Sequence, residues 1–206
     1  MTGVANPKRL PRAVREQQML DAAVRVFADR GYHGASMDEV AELAGVSKPM
    51  VYLYLGSKED LFGACIRREA ARLMERITSA VHDAATIECR LVSGFEAFFG
   101  YVAEHKDSWN VLYHRARALG PPFADEVDRA RHDIIDAVTG LVDQRGASAG
   151  EAGALSHALV GAADALAEWA SRTGEPATVT TARLMNLVWI GIERQIDGAS
   201  WRPASS

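Results

Sequence analysis

Between Ser36 and Lys58 the chain gathers side chains suited to a polyanion. Ser36, Ser47, Lys48, Tyr52, Tyr54 and Lys58 can donate hydrogen bonds, while Pro49, Met50 and Leu53 offer apolar contact beside them. Upstream, Lys8, Arg9, Arg12 and Arg15 precede the first acidic residue, Glu16. Such donors match phosphate oxygens and base edges of a nucleic-acid duplex. A basic arm of this kind either reaches the duplex backbone or minor groove, or stays a solvated tail. A second group of residues is aromatic and cationic. Phe95, Phe98 and Phe99 are followed by Trp109, Tyr113 and His114, then by Arg117 and Phe123, with Trp169 further on. These side chains can line a pocket for a hydrophobic molecule, and Arg115 or Arg117 can meet an anionic head group. The same i, i+3, i+4 spacing of the phenylalanines serves plain core packing, and the arginines can equally pair with Asp125 and Glu126.

Catalytic and metal chemistry find little support. The histidines at 33, 82, 105, 114, 132 and 157 form no His-Glu-x-x-His set, and no phosphate-binding glycine loop occurs. An enzyme is therefore not expected, nor a cofactor, nor a metal site. Cys65 and Cys89 stand far apart without Cys-x-x-Cys spacing, which fits buried thiols in a reducing compartment. A regulator switched by thiol oxidation or by a metal is the alternative these residues leave open.

The elements that must position the first group are legible from caps and turns. Ser36 with Glu39 forms a capping box, so a helix begins near Met37, with Val40, Leu43 and Ala44 as its apolar stripe. Gly45 supplies a turn, Ser47 caps a second helix, and Pro49 sits in its first turn, where a missing N–H costs nothing. Ala41, Gly45 and Val51 provide the small contact, the turn and the buried anchor that two steeply crossed helices need. This is helix-turn-helix spacing, although an ordinary corner between helices shares it. A preceding helix over 12–30, with Leu20, Ala23, Val24 and Phe27 on one face, packs behind it and stops at Gly31. Ser57 caps a long helix to about Val81. Further helices are expected over 87–105, 109–118, 123–145, 150–172 and 179–197, with no strand.

The segment from Val46 to Phe62, Val-Ser-Lys-Pro-Met-Val-Tyr-Leu-Tyr-Leu-Gly-Ser-Lys-Glu-Asp-Leu-Phe, resembles the N-terminal domain of TetR-family transcriptional repressors. Ala22-Ala23, Phe27, Gly31-Tyr32 and the Ser36 cap extend the likeness upstream, so that about the first 65 residues are covered. Two positions depart from the pattern: Leu53 stands where many relatives carry histidine, and Leu55 where many carry phenylalanine. The operator preference of relatives is therefore not carried over. The resemblance implies an all-α fold of about nine helices, in which a three-helix DNA-binding domain is followed by a larger helical ligand-binding and dimerisation domain. It divides the chain into a flexible basic arm (1–11), the helix-turn-helix domain (12–57), the effector and dimer domain (58–198) and a tail (199–206). It also implies a ligand-responsive repressor that binds a palindromic operator as a homodimer and is released by a small hydrophobic effector. In similar proteins the stretch around His114 and Arg117 borders the effector pocket.

The last two helices carry broad apolar faces that must be buried. Leu155, Leu159, Ala162 and Leu166 on one, and Leu184, Val188, Gly191 and Ile192 on the other, serve either the core of one subunit or a dimer seam. The resemblance favours the seam. A net charge of −4 on 206 residues looks adverse to DNA binding, but the cations cluster at the arm, Lys48 and Lys58, while Asp38, Glu39 and Glu42 lie at the start and outer side of the preceding helix. No apolar stretch is long enough to span a bilayer and Met1 to Leu10 lacks a signal-peptide core, so a cytoplasmic address without membrane contact is expected.

Overall fold

In the computed structural model, residues 11–82, 84–143 and 149–196 are described, with backbone alone at 143, 149 and 190–196. The described residues form nine helices and no strand. These are α1 (Arg12–Gly34), α2 (Met37–Leu43), α3 (Lys48–Leu55), α4 (Lys58–His82) and α5 (Ile87–Glu104). A composite α6 follows, then α7 (Phe123–Asp143), α8 (Ala149–Thr173) and α9 (Ala177–Ile196). Arg9 of the arm and the tail over 199–206 lie outside the described residues.

The local signals act mostly as expected. Ser36 Oγ accepts from Glu39 N at 3.1 Å while Glu39 Oε2 accepts from Ser36 N at 3.0 Å, which closes the capping box. Gly45 has φ +65°, the left-handed region a side chain resists, so glycine makes the α2–α3 turn cheap. Gly31 breaks α1 with φ 69° and ψ 174°, and one more turn follows before Ala35. Ser47 differs from expectation: it flanks α3 but its hydroxyl makes no capping bond. Pro49 removes one of the two N–H groups a cap would bind, and the other, Met50 N–H, donates to the Ser47 carbonyl at 2.9 Å. Leu43, expected on the buried stripe, is half exposed.

Two cores share α4. The first joins Phe27, Val40, Val51, Leu61, Phe62 and Ile66, and extends to Val111, Leu112, Ala116, Phe123 and Val127 beyond the small domain. The second gathers Leu73, Leu91, Phe95, Phe98, Trp109, Leu159 and Leu184. The small domain therefore packs on the C-terminal body through a continuous apolar seam, and α4 runs from one core into the other.

The largest surprise is α6. It begins as an α-turn at Lys106–Trp109, widens into a π-turn at Asn110–Arg115 and closes as Ala116–Leu119. A regular helix over 109–118 was expected. In such a helix residues five apart stand roughly 140° apart around the axis. The wider i→i+5 turn brings them toward one side, and Asn110 Nδ2 and Arg115 Nη2 both donate to the Ala28 carbonyl of α1, each at 3.1 Å.

Candidate functional site

Two sites emerge, one on the outer face of α3 and one inside the C-terminal body. On α3, Val51 and Leu55 point into the first core, which turns Ser47, Lys48, Pro49, Tyr52 and Leu53 outward. Leu53 is 76% exposed, and no interior role accounts for it. Lys48 Nζ pairs with Asp38 Oδ2 at 2.8 Å on the surface, so α2 aims it across the face. This contact, through its hydrogen bond and then its charge, raises the lysine's pKa. Met50 and Tyr54 are half-buried and backed by α1: Arg15 Nη1 donates to Met50 Sδ at 3.7 Å, and the Arg12 guanidinium stands 5.0 Å from the Tyr54 ring centre. Ser36 Oγ accepts within its capping box, which leaves its O–H available to donate outward.

Lys58 is placed differently. Its Nζ donates to Ala35 O at 2.9 Å and lies 4.9 Å from the Tyr32 ring centre, so it ties α4 to the end of α1. In this position it binds the protein's own backbone.

Within the body, α4, α5, α6, α7 and α8 enclose a cavity of about 240 Å³. Its wall includes Leu73, Ile77, Leu91, Phe95, Phe98 and Val138, with Trp109, Leu112 and Tyr113 from α6. Of the aromatic and cationic candidates, Phe95, Phe98, Trp109, Tyr113 and Arg117 line it. The others do not. Phe123 lies in the first core, 4.8 Å from the Phe62 ring and 5.3 Å from Tyr32, because the Pro121-Pro122 corner starts α7 over the small domain. Phe99 borders a separate recess between α5, α8 and α9. His114 is exposed on the outer side of the π-turn. Trp169 is outside the cavity wall, with the Arg183 guanidinium 5.7 Å from its ring centre.

One end of the cavity is polar. Arg131 Nε donates to Asp164 Oδ2 at 2.9 Å, and both side chains are largely shielded. Burial pushes the Asp164 carboxyl up, against the pull of Arg131 and then Arg117. Burial, with the Asp164 charge behind it, also raises the Tyr113 hydroxyl. The Arg117 guanidinium lies 4.9 Å from the Tyr113 ring centre, and that ring stacks on Trp109 at 4.7 Å and 14°. Sequence reading passed over Arg131 and Asp164. An acid four residues after Val160 and three before Ala167, on a buried face of α8, is the available signal, but its partner sits 33 residues upstream.

A buried ionic cluster joins the two parts. Glu69, fully buried on α4, receives Tyr101 Oη at 2.9 Å and Arg68 Nε at 2.8 Å, and Arg72 Nη1 approaches to 3.3 Å. Arg68 and Arg72 also reach Asp21 of α1, at 2.9 and 3.4 Å. Burial pushes the Glu69 carboxyl up, but Ser108, the charge of Arg68 and the hydrogen bond from Tyr101 outweigh it and leave it below its ordinary range.

The apolar faces of α8 and α9 divide. Leu159 and Leu184 are only 1% and 0% exposed, inside the second core, so neither can reach a partner chain. Leu155, Ala162, Leu166 and Val188 are half-buried at its edge. Gly191 and Ile192 lie outside the residues whose side chains are described. Leu187, absent from the expected seam, is 72% exposed. Among the described residues no three His, Cys, Asp or Glu side chains gather as a metal site. No helix among them is long and apolar enough to cross a membrane. Cys89 is exposed, while burial pushes the Cys65 thiol up to about 12, far from a reactive thiolate.

A crossed helix pair with a solvent-facing second helix, mounted on a helical body that encloses an apolar cavity, defines a ligand-cavity regulator of the helix-turn-helix class. Comparison with known proteins narrows this. Residues 19–65 match the model of bacterial regulatory proteins of the tetR family, and residues 87–191 match a tetracyclin repressor-like C-terminal domain. The chain belongs to the TetR family of transcriptional regulators, whose members are not enzymes. It is 36% identical over 136 residues to the transcriptional activator FasR of Mycolicibacterium smegmatis, a match that covers 66% of this chain but 62% of FasR. The fatty acid metabolism regulator protein of Bacillus subtilis is 31% identical over 86 residues, 42% of this chain and 44% of that protein. Among solved structures, a TetR-like regulator from Rhodococcus sp. RHA1 superposes with a TM-score of 0.78 at 40% identity, covering 90% of this chain and 99% of that one. FadR of Bacillus subtilis, solved in complex with stearoyl-CoA, shares the fold at 19% identity, with a TM-score of 0.72 over 89% of this chain and 99% of that one.

Proposed function

We propose that the protein is a transcriptional repressor that binds a palindromic operator as a homodimer and leaves it when a small hydrophobic effector fills the cavity. The observation that carries this reading is the position of α6. One side of α6 lines the cavity with Trp109, Leu112 and Tyr113, and another holds the Ala28 carbonyl of α1 through Asn110 and Arg115. An effector that repositions α6 acts on the small domain directly and shifts the spacing of the two recognition helices. Ser47, Lys48, Pro49, Tyr52 and Leu53 read the major groove, with Ser36, Met50, Tyr54, Arg12 and the Arg9 arm supporting contacts to bases or backbone. The small domain spans 12–57 by this reading, and the effector and dimer region 58–198.

A long acyl chain suits the apolar walls, and the fatty-acid setting of one relative and the stearoyl-CoA bound by one fold neighbour agree with it. Operator selection from random duplexes, followed by titration with palmitoyl-CoA, tests the whole reading. A symmetric site should emerge with half-site centres about 34 Å apart, and the ligand should release it. Replacing Lys48 by Ala should weaken binding by about 1–3 kcal/mol and relax preference at one position per half-site. Recovery of no symmetric site would defeat the proposal.

A second reading, an activator, has one observation in its favour: FasR, the 36% identical relative, is an activator. The same contacts serve both, and the position of the operator relative to the promoter separates them.

A further inference from the structure

We infer that the effector is a single-chain amphiphile, its apolar tail in the cavity and its carboxylate or acyl carbonyl oxygen bound at Arg117. This rests on the reading of the cavity as the effector site. Tyr113, Arg117, Arg131 and Asp164 line the apolar cavity and also an open polar recess of about 550 Å³ on its outer side. These four residues are the polar boundary that the two spaces share, which suits a molecule that is apolar at one end and polar at the other.

The charges at this boundary are unequally committed. Arg131 is held by Asp164 at 2.9 Å. Arg117 reaches Asp128 only at 3.6 Å, and its buried Nε has no partner. A buried N–H without an acceptor is costly, and a guanidinium offers five donors, so the position favours a ligand that brings an oxygen. Stacking of Arg117 on Tyr113, and of Tyr113 on Trp109, fixes the guanidinium before any ligand arrives. Arg117 and Arg131 are balanced in number by Asp128 and Asp164, so the preference rests on the unpartnered Arg117 Nε, a donor that a cationic head cannot satisfy. An anion or an acyl oxygen is favoured, and the recess leaves room for a larger head beyond it.

Free fatty acids and acyl thioesters share this chemistry, so the test uses three probes of equal chain length on the full-length dimer: palmitic acid, palmitoyl-CoA and 1-hexadecanol. Calorimetric titration of wild type and Arg117→Met is expected to show about a tenfold loss for the acid or the thioester, whichever binds tighter, and less than threefold for the alcohol. The tighter of the two identifies the head group. Should Arg117→Met fail to fold by thermal melting, Arg117→Lys, which keeps charge but loses the fork, should show a smaller loss confined to the same probe. Binding of all three with no dependence on Arg117 overturns the head-group assignment and leaves the effector cavity standing. Binding of none by the wild-type dimer overturns the acyl-chain reading of the cavity, and the head-group assignment with it.

Discussion

Glu69 is the residue whose chemistry is hardest to replace. A carboxylate with no exposed surface is tolerated because Arg68, Tyr101 and Arg72 each direct a donor at it. Removing one partner from a buried ionic cluster costs more than the cluster contributes, because the remaining charges stay desolvated. Substituting Glu69→Leu should therefore lower stability by about 3 kcal/mol, read as a fall in the urea midpoint. The pH dependence has a definite sign. The folded carboxyl is held below its ordinary range, so its contribution is complete above the unfolded pKa and is lost as pH falls through the folded value. Wild type should lose this share of stability below about pH 4.3, and Glu69→Gln should lack it. In the sequence Glu69 could be noticed only as an acid among Cys65, Ile66 and Leu73 on an apolar stripe. Arg68 and Arg72 are its neighbours on α4, but Tyr101 and Ser108 come from α5 and α6, which no local pattern reveals.

Among the elements, α6 carries the coupling. The π-turn places Asn110 and Arg115 on one acceptor while Trp109 and Tyr113 stay stacked at the cavity. Joint replacement of Asn110 and Arg115 by Ala should leave ligand affinity within a few-fold of wild type yet reduce ligand-driven operator release. Couplings of this kind are typically about 1–3 kcal/mol, so the ratio of operator affinities with and without ligand should shrink at least fivefold. An unchanged ratio, measured by anisotropy, would remove α6 from the signal path. By contrast α2 and α3 could be read in advance, since a capping box, a glycine at positive φ and a proline in the first turn are local causes. The π-turn has no such local cause. Its Asn110 binds a carbonyl 82 residues upstream.

At the scale of the whole molecule, the proposed homodimer requires a surface on which two copies meet. Leu187 stands 72% exposed on α9, and the Ala-rich outer face of α8 exposes Ala154, Ala158 and Ala165. Small side chains permit close helix approach, and isologous pairing would give the two-fold symmetry a palindrome requires. Leu187→Glu should shift the protein toward monomer in sedimentation velocity and weaken operator binding at least tenfold, since one half-site then binds alone. A dimer that survives this change would move the seam elsewhere. Of the residues expected at the seam, Leu159 and Leu184 share the helical spacing of an interface but are consumed by the core of their own chain.

By itself the sequence determined the all-α character, the bounds of the helices to within a few residues and the outward face of α3, because caps, turns and apolar periodicity act over a handful of neighbours. Only the tertiary structure decided which aromatics line the cavity and which fill a core. Phe95 and Phe98 face the cavity, whereas Phe123 enters the first core under Phe62. It also decided that Arg117 keeps a buried donor without a partner and that Lys58 ties down the end of α1. Periodicity says that a face is buried. What it is buried against depends on helices far away along the chain.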